Sequence, residues 1–152
     1  MVGLYLSPFY ETEIMGVIMA HTSMVKLSRT SLDVMHVLIN AVQADHVVDS
    51  KEIQVIIDAL DDLDIRTDDD KAVTKVELLY WLEGSYKEIA AQYSGSKRDI
   101  ELVILLSRMR RRDDLPRIMK VVMDIYQADG SYHEDEESLT DIIMSHWDRP
   151  AA

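Results

Sequence analysis

Apolar residues recur at three- and four-residue intervals along nearly the whole chain, while alternation of β-branched with polar residues is scarce. A period near 3.6 lines up such residues on one face of a helix, whereas a strand needs a period of two. The expected fold class is therefore all-α, a compact bundle of about seven to eight helices whose short connections make neighbours antiparallel. The 152 residues suit a single domain over residues 1–152, and a domain of that size buries roughly 70% of the surface its unfolded form exposes. Apolar residues at 47%, charged residues at 29%, and only 5 Gly and 3 Pro mark a globular chain rather than a fibrous or disordered one.

The stripes predict the helices one by one. A first helix is expected from Glu11 to about Lys26, with Ile14, Val17, Ile18, Met24 and Val25 inward. Thr30 or Ser31 caps a second, to about Ala44, striped by Leu32, Met35, Leu38, Ile39 and Val42. Asp49 caps a third through about Leu63, because Asp49 and Glu52 stand at N-cap and N3 spacing; Ile53, Ile56, Ile57 and Leu60 face its core. Then Asp58, Asp61, Asp62, Asp64, Asp68, Asp69 and Asp70 surround Ile65-Arg66-Thr67. They read as a helix end, a solvated turn and the start of a fourth helix, where acids suit the macrodipole.

The fourth helix is expected to reach about Leu82, carrying Val73, Val76, Leu79 and Tyr80. Past Glu83-Gly84, Ser85 and Glu88 are spaced to start a fifth ending near Tyr93, unless the two form one kinked helix. Ser96 opens a sixth, with Ile100, Val103, Ile104, Leu106 and Met109 inward, ending at Arg110-Arg111-Arg112. Asp114 before Pro116 starts a seventh to Ala128, and an eighth runs from about Glu134 to Trp147.

Shifted by 84 residues, the chain matches itself. Gln43-Ala44-Asp45 falls on Gln127-Ala128-Asp129, Met35 on Met119 and Glu52 on Glu136. Apolar positions pair as well: Val34 with Ile118, Val37 with Val121, Leu38 with Val122 and Val55 with Leu139. Both copies read as helix, Ala-Asp, a tight turn with one apolar residue, and an acidic start to the next helix. Gly130 in the second copy supplies the left-handed residue that such turns favour.

The runs Gln43–Glu52 and Gln127–Glu136 resemble the Ala-Asp-Gly-x-apolar-x-x-x-Glu signature of tellurite-resistance TerB-like domains, over about 31–63 and 115–147. His46 stands where that pattern has Gly, and His133 where it has a capping Asp, Ser or Thr. The family includes bacterial tellurite-resistance proteins and the N-terminal part of some membrane-anchored DnaJ-type co-chaperones. The resemblance implies a helical bundle with two acidic turns, in a family linked to stress or toxic-oxyanion response and proposed to bind divalent cations and partner proteins.

Charge narrows the partners. With 28 acidic against 16 basic residues the formal net charge is −12, a field that repels nucleic acid and anionic lipid and attracts cations or basic protein surfaces. The absence of Cys removes disulfides, thiolate nucleophiles and Cys-held metal sites. No basic n-region with an apolar core opens the chain and no run of about 18 apolar residues occurs, so a cytoplasmic location off the membrane is expected.

The candidate metal ligands are the carboxylates of the two turns. Asp45, Asp49 and Glu52 can converge on one cation, as can Asp129, Glu134 and Glu136, since calcium or magnesium takes several oxygens around one point. The same groups also suit a turn and a capping pair that satisfy helix-start N–H groups with no metal. An EF-hand needs Gly sixth and Glu twelfth; counted from Asp45 those places hold Ser50 and Ile56, and from Asp129 they hold Glu134 and Thr140, so neither loop qualifies.

Other features have local explanations. His133, Glu137 and His146 make no His-Glu-x-x-His zinc motif. His21 and His36 lie in helical stretches as packed or surface residues, and Tyr80, Trp81 and Tyr86 as core aromatics. Arg108, Arg110, Arg111 and Arg112, with Arg117 nearby, can dock an acidic partner or simply complement helix ends. Neither a nucleophile elbow nor a phosphate-binding loop is present.

The expected function is a non-enzymatic TerB-like interaction module of a stress-response or defence assembly, with a protein partner, no catalytic residues, and calcium or magnesium at the two turns as the only cofactor considered. The alternative is an acidic inhibitor or polyanion-mimicking decoy that fills a basic groove, using the faces from Asp58 to Asp70 and Glu134 to Asp141. A carboxylate-metal hydrolase would need acids projecting inward from facing helices, whereas here they gather at helix ends.

Overall fold

A computed structural model describes residues 24–44, 49–128 and 134–147. The described residues are all-helical, without strands. Seven α-helices follow in order: α1 (Arg29–Val42), α2 (Ser50–Asp58), α3 (Leu60–Leu63), α4 (Lys75–Gln92), α5 (Arg98–Met109), α6 (Leu115–Gln127) and α7 (Glu134–Trp147). None of the described helices is long and apolar enough to cross a membrane.

The core is built around α1. Val34, Met35, Val37, Leu38, Ile39, Ala41 and Val42 are all sealed from solvent, so this helix is buried around most of its circumference rather than along one stripe. It touches α2, α4, α5 and α6, while α6 also lies along α2 and α3, and α7 packs on α5. Ile118, Val122, Ile125 and Tyr126 of α6 and Leu139 and Ile143 of α7 close the core.

Helix starts follow local capping chemistry, though not always at the expected residue. Ser28, not Thr30 or Ser31, caps α1, its hydroxyl accepting from the Ser31 N–H at 3.2 Å. Ser31 is buried and spends its own hydroxyl on the Arg66 N–H, at 2.8 Å. The expected box at Asp49 and Glu52 is present on α2. That helix stops at Asp58, and a four-residue turn of helix, α3, ends at Asp64 in the left-handed conformation (φ 51°).

The fourth helix does not begin in the Asp run. A Thr-x-x-Glu box at Thr74 and Glu77 starts α4 at Lys75, both reciprocal bonds being made. Asp68, Asp69 and Asp70 instead form the tip of a tight reversal, in which the Thr67 N–H donates to the Lys71 carbonyl and Asp70 adopts φ 66°. Arg66 ties this loop to Asp64 at 3.2 Å. Segment 24–28, expected as a helix end at Met24 and Val25, runs non-helically beside the loop: Lys26 accepts from the Asp68 N–H and the Ser28 N–H donates to Arg66. The rest of the expected first helix lies outside the described residues.

Glu83-Gly84 makes no break, and α4 is one continuous helix. Gly84 leaves room for Met24, whose Sδ would lie 2.9 Å from a Cβ at that position. Two inward faces differ from expectation. On α4 the buried positions are Leu78, Trp81, Leu82, Tyr86 and Ile89, while Val76 is exposed and Val73 is buried ahead of the helix. On α5, Leu102, Leu105, Leu106 and Met109 face the core, leaving Ile100, Val103 and Ile104 outside at 65%, 39% and 51% exposure. Both helices carry two apolar stripes, and packing against α1 selects one. The sixth helix itself starts at Arg98 after a 3-10 turn, Gly95–Lys97, that occupies the expected Ser96 start.

Candidate functional site

The acidic helix starts come first. On α2 the Asp49 carboxylate accepts from the Lys51 N–H at 2.7 Å, and the Asp49 N–H donates to Glu52 Oε1 at 3.3 Å. Glu52 is wholly buried. On α7, Glu134 is the exposed first residue and Glu136, two places on, is again wholly buried. Burial of a carboxylate is costly unless hydrogen bonds or opposite charge compensate it, and neither of these two is without a partner.

Of the candidate ligands, Asp49 and Glu52 are therefore brought together, and Glu134 and Glu136 share one helical turn with opposite exposure. Asp45 and Asp129 lie outside the described residues, as do His21 and His133. Among the described residues no three His, Asp or Glu side chains are grouped to hold a metal ion. Glu137 and His146 are nine residues apart on α7, which at 3.6 residues per turn sets them on opposite sides.

The basic run divides in two. Arg108 and Arg112 are structural. Arg108 of α5 holds Asp33 of α1 with three bonds, Nη2 to Oδ1 at 2.7 Å and Nε to both oxygens at 3.2 Å. Arg112 grips Asp114 through Nε and Nη2, both at 2.8 Å, and donates from Nη1 to the Thr30 carbonyl at 2.9 Å. Those bonds hold the Asp114 carboxyl below the usual carboxylate range. Asp114 thus serves Arg112 rather than capping α6, the helix it precedes. Arg110 and Arg111 are exposed and make no ion pair among the described residues.

Sequence reasoning missed the buried polar cluster around Asp33. His36 Nδ1 and Tyr93 Oη are 2.8 Å apart and the rings meet edge-on at 88°. Burial lowers the His36 pKa, opposed by nearby Asp33 and aided by Arg108. Burial also pushes the Tyr93 phenol up to about 12. A neutral imidazole beside a neutral phenol is the resulting state at pH 7. The partners are 57 residues apart in His36–Tyr93 and 75 apart in Asp33–Arg108, so no local pattern could announce them. Trp81 and Tyr86 are core residues as expected, whereas Tyr80, expected with them, is only half-buried.

Between the start of α6 and the end of α7 runs an open cleft of about 480 Å³, with Leu115, Pro116, Met119, Met144 and Trp147 on its apolar walls and Arg110 and Asp113 on its rim. The Trp147 indole is fixed by a 3.1 Å bond from Nε1 to the Leu106 carbonyl. No family model, curated protein or solved structure matches this chain.

Proposed function

We propose that this protein is a non-enzymatic interaction module of TerB-like type, serving a stress-response or defence assembly, in which the two acidic turns hold divalent cations and position the bundle for a protein partner. One observation carries the reading. Glu52 and Glu136, 84 residues apart, are the two polar residues with zero exposure among those described, and each stands in the first turn of the helix that follows an Ala-Asp pair in the sequence. The same shift takes Ser50, where α2 starts, to Glu134, where α7 starts. It also takes buried Val34, Leu38, Ala41 and Val42 of α1 to buried Ile118, Val122, Ile125 and Tyr126 of α6. Glu52 stands with Asp49 at the start of α2 and Glu136 with Glu134 at the start of α7, oxygen donors of the class that calcium and magnesium take.

The test is a thermal melt of metal-stripped protein with and without calcium, magnesium or zinc, on the wild type and on Asp45→Asn/Asp129→Asn. A site with Kd near 10 μM filled at about 1 mM stabilises the fold by ~2.7 kcal/mol, about 5–10 °C for a chain of this size. A rise that vanishes in the double variant supports the cation sites; unchanged melting with all three ions sinks them.

A second reading is favoured by a different observation. All seven Asp from Asp58 to Asp70 are exposed, as are Glu134, Asp135 and Glu137. Such faces suit a decoy that fills a basic groove on another protein. Retention of basic proteins that is lost on raising salt supports it, and salt-independent or absent retention argues against it.

A further inference from the structure

We infer that the cleft between α6 and α7, together with the outward face of α5, docks an acidic amphipathic helix of a partner protein. The apolar part is laid out for a helix. Ile100, Val103 and Ile104 follow the i, i+3, i+4 spacing on the side of α5 turned away from the core, where all three remain exposed. Arg110 lies seven residues beyond Val103, hence on the same face, and also forms the rim of the cleft. From Ile100 to Arg111 this face runs about 16 Å, or three turns of a docked helix.

Beyond the rim, Met119, the 39%-exposed Met144 and the half-buried Trp147 supply the cleft wall. Methionines adapt to varied apolar side chains, and tryptophan is among the residues that most often anchor interfaces. Since the Trp147 N–H is already bonded to Leu106, the ring is held in place before any partner arrives.

Charge selects the occupant. Arg108 and Arg112 are neutralised by Asp33 and Asp114, whereas Arg110 and Arg111 have no ion-pair partner among the described residues. Against them at the cleft end stands the exposed Asp113, while the exposed Asp99 lies at the far end of the α5 face, so positive charge is concentrated where that face meets the cleft, on a chain whose net charge is −12. At physiological salt the screening length is about 8 Å, which leaves the local arginines, not the distant acids, to decide which helix fits. A helix with one apolar stripe and flanking carboxylates matches both features.

The inference rests on the reading of the protein as a partner-binding module but not on its cation sites: a failed metal melt leaves it standing, and its own failure leaves the melt unaffected. The probe is a synthetic helical peptide with Leu at i, i+3, i+4 and i+7 and Glu on the flanks, against the same peptide with Lys for every Glu. Full-length protein is labelled at its Met methyls and Trp indoles and titrated with each.

The acidic peptide is expected to shift Met119, Met144 and the Trp147 indole. R110E/R111E, both exposed and outside the fold's ion pairs, should weaken it by about tenfold and favour the Lys peptide, with melting unchanged. Any of several results overturns the proposal: no binding at about 1 mM peptide, equal or tighter binding of the Lys peptide to the wild type, or shifts confined to other surfaces. So do contacts from residues 1–23 or 148–152 to the Met119 or Met144 methyls, or shifts that grow with protein concentration alone, since these give the surface to the chain itself or to a second copy.

Discussion

Arg108→Met should destabilise the fold more than Asp33→Asn, although both break the same ion pair. The reason is unequal burial: the Asp33 side chain keeps 11% of its exposure and the Arg108 side chain 40%. In Asp33→Asn the guanidinium still finds an amide oxygen and solvent, so the loss is the charge assistance of the bonds, about 1 kcal/mol. In Arg108→Met the carboxylate is left nearly dry without its cation, a situation that costs about 3 kcal/mol or more. With about 2–4 °C per kcal/mol at this chain length, melting should fall by about 3 °C and about 10 °C respectively. Urea unfolding at pH 7 gives the free energies directly, and Asp33→Leu/Arg108→Met should be less damaged than Arg108→Met alone. If Asp33→Asn costs as much as Arg108→Met, differential burial does not govern this pair and the reasoning is refuted.

The His36 imidazole has its pKa lowered below 6.5 by burial, so in that range the unfolded chain binds the extra proton. Its contribution is complete above pH 6.5 and is lost as pH falls through the folded pKa; urea unfolding at pH 7.5 and 5.5 should show a drop that His36→Gln reduces. The Asp114 carboxyl is held below 3.8 by Arg112. Its contribution is present above pH 3.8 and lost as pH falls through the folded value, so Asp114→Asn should lower stability at pH 6 and cost progressively less as the pH is taken below 3.8. Gly84→Ala should raise stability by up to about 1 kcal/mol in calorimetry, because alanine is the better helix former and the obstructing Met24 Sδ ends a flexible, half-exposed side chain. Asp49→Ala should cost about 1 kcal/mol through loss of the α2 cap, measured the same way.

Much of the architecture was legible because it rests on residues within four positions of one another. The 3.6 period announced an all-helical chain, and Asp49 with Glu52 marked a helix start through bonds that close within three residues. Thr74 and Glu77 carried the same signal, overshadowed by the acids at Asp68 to Asp70, which suit a helix start but here turn the chain back under the control of Arg66 and Thr67. Of the candidate site, the pairing of Asp49 with Glu52 was readable, whereas the complete burial of Glu52 and Glu136 was not. A capping carboxylate looks alike in sequence whether its helix start faces water or a neighbouring helix.

The sequence by itself determined which segments coil and where α2, α6 and α7 begin, since those choices are made by backbone bonds, caps and turns within a few residues. Tertiary structure alone decided which face each helix turns inward. On α5 the stripes Leu102-Leu105-Leu106-Met109 and Ile100-Val103-Ile104 are equally apolar, and only contact with α1 and α7 buries the first and leaves the second outside. It also decided which arginines are bound, because Arg108 and Arg112 reach α1 at Asp33 and Thr30 across 75 and 82 residues of chain, while Arg110 and Arg111 stay exposed and make no ion pair among the described residues. Local energetics cannot make such choices: burial and ion pairing are properties of surfaces that meet only after the helices have packed.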